Sequence, residues 1–386
     1  MQFQSTTILG IKQLLRTPAH LYRSAFSRCL ALLYSPEKVH PVSSTCYQRI
    51  VVTHAGHNYD VCATNNCLIY TNCADNITYS VKRGLIPRVS WQWSDEDETA
   101  LDDSQNRYLK GTLLPRSSPR RARSTVVSLL TGGGGNYNYF HWLYDVLPRI
   151  QLCSYFINDD AELLYLVPAN NLTFQNDSLS ILGIDRDRQI SSLASPFILA
   201  DRCLCSAHPN PYPNASRATP TWIIDFLRNK FLPAASESKF GSLVYIDRAD
   251  STNKRQLIND SEVQQQLSAN GFESYRLSEL SFRDQIRLFS RAKVIVGAHG
   301  TGLANLAFAP PGCVIYEIFS HRFQPTMYKS ISDHIGGEWI PLIGSEDSGG
   351  NAKMSSIYLS SEMVQKIIDR VTSLHGHSAR RSRAHS

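Results

Sequence analysis

Apolar and polar positions in this chain follow two periods, and the change between them divides it. Between residues 40 and 130 the apolar runs are short and end at polar turns. Segments 49–53, 67–70 and 125–130 carry β-branched or apolar residues and predict strands. The acidic positions 95–98 and 102–103 predict a surface loop, and 115–123, rich in Pro, Ser and Arg, predicts a break. After the glycines at 132–135 the period lengthens, with Phe140, Leu143, Leu147 and Ile150 at helical spacing. Strand-like runs at 163–167 and 197–200 then alternate with a polar helical stretch around 177–182, an α/β signature. Residues 208–220, rich in Pro, predict a linker or rim loop, and 222–232 a helix.

Beyond residue 243 the alternation sharpens. Strands are expected at 243–246, 294–296 and 313–318, and helices at 262–267, 282–291 and 300–308, with a closing helix over 354–374. This is a compact βαβαβ run typical of a doubly wound nucleotide-binding domain. The resulting division is a basic amphipathic segment over 1–39, an N-terminal domain over 40–225, a C-terminal domain over 226–350, and a helix with a basic tail over 351–386.

Composition changes this picture little. A chain of 386 residues with 42% hydrophobic and 19% charged positions is a folded protein of two domains. The net charge of +6 includes Arg380, Arg381 and Arg383 in the tail. A mildly basic body suits an anionic small molecule better than a nucleic acid duplex. The nine cysteines contain no CxxC pair, so a zinc ribbon or redox motif is unsupported; the group from Cys46 to Cys73 could hold a disulfide in a secreted protein. No segment has the ~18 consecutive apolar residues of a membrane span. Residues 10–34 read either as a basic amphipathic helix on an anionic membrane surface or as an ordinary N-terminal helix. Without a signal peptide the N-x-S/T triplets carry no weight; a cytoplasmic location is expected, with the Golgi or endoplasmic reticulum lumen as the alternative.

Three segments carry candidate chemistry. In the first, a buried strand runs into Gly297-Ala298-His299-Gly300-Thr301-Gly302 and then a helix. Glycines at a strand-to-helix turn let a ligand approach the backbone, and the helix N-terminus favours negative charge such as a diphosphate. His299 could donate to phosphate or be a satisfied loop histidine. Glu317, near the end of the following strand, could accept from ribose hydroxyls or form a salt bridge. In the second segment a strand delivers Arg248 to a loop holding Lys254 and Arg255, a bidentate diphosphate site or a solvated basic loop. In the third, His141 and Asp145 are four apart on one helix, a general base with its orienting partner or a structural pair.

Together YFHWLYDVLPRI (139–150), YIDRADSTNKRQLIND (245–260) and VIVGAHGTGLANLAFAPPGCVIYEI (294–318) resemble glycosyltransferase family 61, with likeness from roughly 125 to 345. The resemblance implies a GT-B-like α/β fold, two Rossmann-like domains facing across a cleft. It also implies inverting, metal-independent transfer of a sugar from a nucleotide-sugar donor to a glycan acceptor, with no cofactor. By position Arg248, Arg255, His299, Gly300, Thr301, Gly302 and Asn305 would face the donor, Glu317 its ribose, and His141 and Asp145 the reaction centre. Asp185-Arg186-Asp187 has the form of a metal-binding D-x-D string but follows no convincing strand, and is read as a turn. The rival enzyme reading is an HxxxD acyltransferase, although Val146 stands where that motif has Gly; the rival without turnover is an inactive nucleotide- or glycan-binding module.

Overall fold

The computed structural model describes residues 47–383 apart from 74, 81–83, 91–92, 95–98, 101–117, 133, 158–161, 169, 211–217, 236–239, 250–254 and 347–354. The amphipathic segment 10–34, Cys46, the acidic positions 95–98 and 102–103, and Lys254 therefore lie outside the described residues. The chain forms two compact units, Met1–Pro213 and Asn214–Ser386.

The first unit is built on β1 (Tyr47–His54), β2 (His57–Thr71), β3 (Asn76–Ser80) and β4 (Gly84–Leu85), a small ribbon of β5 (Trp93–Ser94) with β6 (Thr99–Ala100), and then β7 (Arg120–Ser128), β8 (Leu163–Val167), β9 (Gln189–Ser191) and β10 (Phe197–Ser206). The main sheet runs β4-β3-β2-β10-β7-β8-β9, with β1 also paired to β2. From β10 to β9 the neighbours are parallel, while the pairs β1 with β2, β2 with β3, β3 with β4 and β2 with β10 are antiparallel. The sheet is thus mixed, with a parallel half and an antiparallel half. The hairpin turn gives the physical reason: Ala55 and Gly56 both have positive φ, 47° and 80°, and a two-residue loop can join only antiparallel strands. The break expected over 115–123 ends early, because β7 starts at Arg120. Arg120 donates to Ser195 at 3.2 Å and Arg121 pairs with Asp201 at 3.4 Å, while Val126 and Val127 further along the strand are fully buried.

The second unit holds β11 (Leu243–Asp247), β12 (Glu273–Arg276), β13 (Val294–Ala298), β14 (Val314–Ser320), β15 (Glu338–Glu346) and β16 (Ile357–Tyr358), in the order β12-β11-β13-β14-β15-β16. All pairs are parallel except β15 with β16. Every residue of β11, β13 and β14 is buried, which accounts for their near-continuous apolar runs. The helix Phe282–Arg291 starts where Ser281 accepts from the Asp284 amide at 3.1 Å, and it buries Phe282, Ile286 and Phe289. The last helix, Ser361–Arg383, packs Val364, Ile367 and Val371 onto the core around Val294 and Val314. Each fully buried aliphatic side chain there contributes about 1.5–3 kcal/mol. The helix Thr221–Phe231 belongs to this unit: Arg228 donates to the carbonyls of Ala307 and Ala309 at 2.6 and 2.8 Å.

Chain order passes from β11 to β12 on one side and to β13 on the other, so the winding direction reverses between β11 and β13. Open α/β sheets bind ligands outside the carboxyl ends of strands at such a switch point. Arg248 follows β11 directly and His299 follows β13 directly.

Candidate functional site

The turn after β13 is shaped around arginine. A Cβ added at Gly300 would fall 1.5 Å from Nη1 of Arg248, so the guanidinium occupies the space where any other residue would put its side chain. The 3-10 helix Thr301–Phe308 begins at this point, and its first N–H groups have no intrahelical partner. Thr301 and Gly302 are half-buried. Tyr328 supports the turn from below, its hydroxyl donating to the Gly300 carbonyl at 2.8 Å.

Arg255 completes the basic surround. Its φ is 73°, a left-handed conformation that costs a non-glycine residue on the order of 1–3 kcal/mol. The guanidinium carbon lies 5.8 Å from the Phe323 ring centroid. Its Nε is buried and has no hydrogen-bond partner, and among the described residues no carboxylate forms an ion pair with Arg255. Burial pushes its pKa below the ordinary arginine value. A cavity of about 230 Å³ lies beside the switch point, lined by Arg248, Gln256, Asp260 and Ala298.

His299 is 6% exposed and enclosed by Phe319, Phe323 and Tyr328, with ring centroids 5.5, 5.6 and 5.4 Å away. Its Nδ1–H donates to Glu317 Oε1 at 2.6 Å, and Trp339 Nε1–H donates to Glu317 Oε2 at 2.6 Å. Glu317 is fully buried in the middle of β14 with both oxygens engaged, so it orients His299 and does not present an open acceptor for a ribose. Burial lowers the His299 pKa, Arg255 and Arg248 lower it further, and the bond to Glu317 offsets only part of this. In the neutral tautomer so held, Nε2 carries a lone pair. Donation to a phosphate therefore requires the ring to gain a proton as an anion enters. Asn305 is also buried, its amide donating to Gln285 Oε1 at 2.9 Å and to the Gly302 carbonyl at 3.1 Å. It braces the turn from inside the core.

In the first unit the helix read from periodicity is broken. Asn138 caps a single turn, Tyr139–His141, accepting from the amides of Phe140 and His141 at 3.0 and 3.3 Å. A π-helical turn, Trp142–Val146, follows, closed by Leu147 N–H to Trp142 O at 3.1 Å. Pro148 has no N–H to continue a regular ladder, and Arg149–Cys153 resumes the helix. Such π turns recur at functional sites.

That turn brings His141 and Asp145 together, Nδ1–H donating to Oδ2 at 2.6 Å. The His141 side chain is 37% exposed and that of Asp145 only 6%. Burial opposes charge on His141, but the bond to Asp145 and its negative charge outweigh that and raise the His141 pKa. Burial would raise the Asp145 pKa, but His208, the His141 bond and Arg149 together hold it below the ordinary value. Periodicity had drawn attention to neither His208 nor Arg149. His208 Nε2 lies 3.8 Å from Asp145 Oδ2, and burial drives its pKa down to about 4. Arg149 is buried, donating to the carbonyls of Asp145 and Ser206 at 3.1 and 2.7 Å. The one available signal for Arg149 was its place in the LPR triplet; His208 sits beyond the end of β10, far from any motif. Asp185–Asp187 is exposed at the single 3-10 turn Arg186–Arg188. Cys62, Cys67 and Cys73 are free thiols.

Comparison with known proteins finds one family model and several relatives similar to parts of this chain. The family model described as Glycosyltransferase 61 matches residues 139–316. A β-1,2-xylosyltransferase of Arabidopsis thaliana is 40% identical over 63 residues, 16% of this chain and 12% of that protein. An EGF domain-specific O-linked N-acetylglucosamine transferase of Drosophila melanogaster is 28% identical over 119 residues, 30% of this chain and 22% of that protein. The Rattus norvegicus protein of that name is 32% identical over 87 residues, 21% and 16% of the two chains. The matched stretches thus cover between 12% and 22% of these relatives' own lengths. Residues 139–316, which run from the first of the three segments into the last, match the model of glycosyltransferase family 61.

Proposed function

We propose that the protein is an inverting glycosyltransferase that binds a nucleotide-sugar donor in its second unit and delivers the sugar to a glycan hydroxyl without a catalytic metal. The carrying observation is Arg255: a half-buried cation in a strained backbone, its Nε unpaired, at the carboxyl edge of a doubly wound sheet. Burying a charge without a counter-ion is costly, and an anionic ligand would remove that cost. With Arg248 and the Thr301 and Gly302 amides, Arg255 forms a cationic cradle sized for a diphosphate.

In this reading the acceptor hydroxyl gives its proton to His141 Nε2 as its oxygen attacks the anomeric carbon. The bond from that carbon to the diphosphate oxygen breaks, and the nucleoside diphosphate leaves as an anion. Positive charge held where negative charge develops lowers the barrier. His141 is the base because it is the exposed member of the pair; Asp145 fixes its tautomer and raises its basicity. The names of the relatives, a xylosyltransferase and N-acetylglucosamine transferases, support a pentose or N-acetylhexosamine donor. The GT-B architecture is part of the same proposal.

The test is calorimetric titration with UDP, GDP and coenzyme A, repeated with Arg255→Ala. A nucleoside diphosphate should bind, and the variant should bind it more weakly and turn over about 10²–10³-fold more slowly. Binding of coenzyme A alone would make the protein an acyltransferase instead.

A further inference from the structure

The second unit holds another cavity, of about 630 Å³, at the carboxyl ends of the parallel strands β14 and β15, beside β16 and the start of the last helix. Open α/β sheets place ligands at that edge, and the volume is within the ~300–1,000 Å³ of small-molecule sites.

Strand pairing builds one wall. Ser345 on β15 stands directly opposite Tyr358 on β16, so their side chains share a face, and Ile343, two residues before Ser345, shares it too. Ile357 points the other way into the core and is 1% exposed. A Cβ at Gly344 would fall 2.5 Å from Ile357 Cγ2 and 2.6 Å from the Tyr358 carbonyl oxygen, so glycine is what lets β16 come this close. Tyr358 is thereby held on the cavity wall at 42% exposure, with Ile343 at 38% beside it. Together they make an apolar platform about one ring wide.

The remaining wall is polar. Arg322 donates to Glu346 Oε1 from its backbone amide and from Nε, both at 3.0 Å, and from Nη2 to Ser355 Oγ at 2.9 Å. Ser355 also hydrogen-bonds Glu346, so one hydroxyl ties the pair together. The guanidinium is oriented by these bonds while 35% of the Arg322 side chain stays exposed. Glu346 cancels the Arg322 charge, and the fixed charges of the wall sum to zero.

We propose that this cavity is a saccharide-binding site, built from residues that the donor reading does not use. A neutral pyranose lays its C–H face on Tyr358 and Ile343 and turns its hydroxyl rim to Ser345 and the Arg322–Glu346 pair. The chemistry of the walls selects that class. A phosphate or carboxylate would meet an arginine already neutralised, and a wholly apolar ligand would strip water from the ion pair. A sugar ring has one apolar face and a polar rim, and aromatic faces and oriented charged groups suit these two parts. An enzyme acting on a glycan gains from such a site by holding a sugar remote from the reacting bond. The site itself stands or falls apart from the transferase reading.

The experiment is saturation-transfer difference NMR of the full chain, titrated with the methyl glycosides of xylose, N-acetylglucosamine, glucose, galactose and mannose. At least one should bind, with saturation strongest on its ring C–H protons. Tyr358→Ala and Arg322→Met should each weaken that sugar about tenfold. Tyr358→Phe, which keeps the ring, should bind as the wild type does, and it separates loss of the platform from loss of folding. Arg255→Ala should bind the sugar unchanged, and UDP should not displace it. Failure of all five glycosides to bind overturns the proposal. So does a bound sugar that UDP displaces, or one whose affinity survives Tyr358→Ala, because either result puts it elsewhere.

Discussion

At the residue scale the two histidines have opposite electrostatic settings. His299 lies under two arginines in a closed aromatic cage, and its pKa falls; His141 faces Asp145 near the surface, and its pKa rises. For a base the sign matters. His141 accepts a proton only when neutral, so the rising limb of the kcat/KM profile should lie above the ordinary imidazole value of 6.5. Asp145→Asn removes both raising influences and leaves burial acting alone. The limb should then move to lower pH while maximal turnover drops, as pH–rate profiles of the two proteins would reveal. A limb that does not move would make Asp145 a purely structural partner. The stability contribution follows the same linkage. The imidazolium share is complete below the unfolded His141 pKa and is lost as pH rises through the raised folded one. The Asp145 share is present above its unfolded pKa and is lost as pH falls through its lowered folded one.

At the element scale, the informative pieces are the turn after β13 and the interrupted helix at 139–153. Gly300 is needed to admit a neighbour, since its φ of 169° is extended backbone that any residue adopts. The neighbour is the far end of a flexible arginine, which can swing away if crowded. Gly300→Ala should therefore leave the melting temperature almost unchanged while displacing Arg248. The loss should be one charge-assisted bond, about 1.5–3 kcal/mol, or roughly ten- to a hundredfold in nucleotide affinity. A large drop in melting temperature with unaltered affinity would show that the turn serves folding alone. In the interrupted helix, i to i+4 spacing did bring His141 and Asp145 together, but through a π turn whose cause is Pro148 and whose start is the Asn138 cap.

At the scale of the whole molecule, each unit carries its own hydrophobic core. One gathers Val126, Leu166, Ile198 and Cys203, the other Val294, Val314, Ile318 and Ile367. Both are closed sets of side chains from one side of the 213/214 division. A fragment comprising 214–386 should accordingly unfold as one cooperative transition, and it should bind nucleotide within a few-fold of the full chain because every proposed donor contact is its own. Circular dichroism melting and calorimetry of the fragment test this. A fragment that folds but does not bind would mean the first unit contributes to the donor site.

What the sequence determined by itself was local or periodic. The strands and helices of the second unit follow from buried apolar runs, Ser281 at a helix start and glycines at the turn, all of which act within a few residues. Arg248, Arg255 and His299 were legible for the same reason, as polar groups in the loops that follow strand ends. Tertiary structure decided which polar groups remain available. Glu317 and Asn305 look like ligands in the sequence, yet Trp339, His299 and Gln285 take their hydrogen bonds. His208 and Arg149 carry no motif, and their significance lies in partners found after folding. A buried polar atom is defined by what surrounds it in space, and spacing along a chain does not encode that.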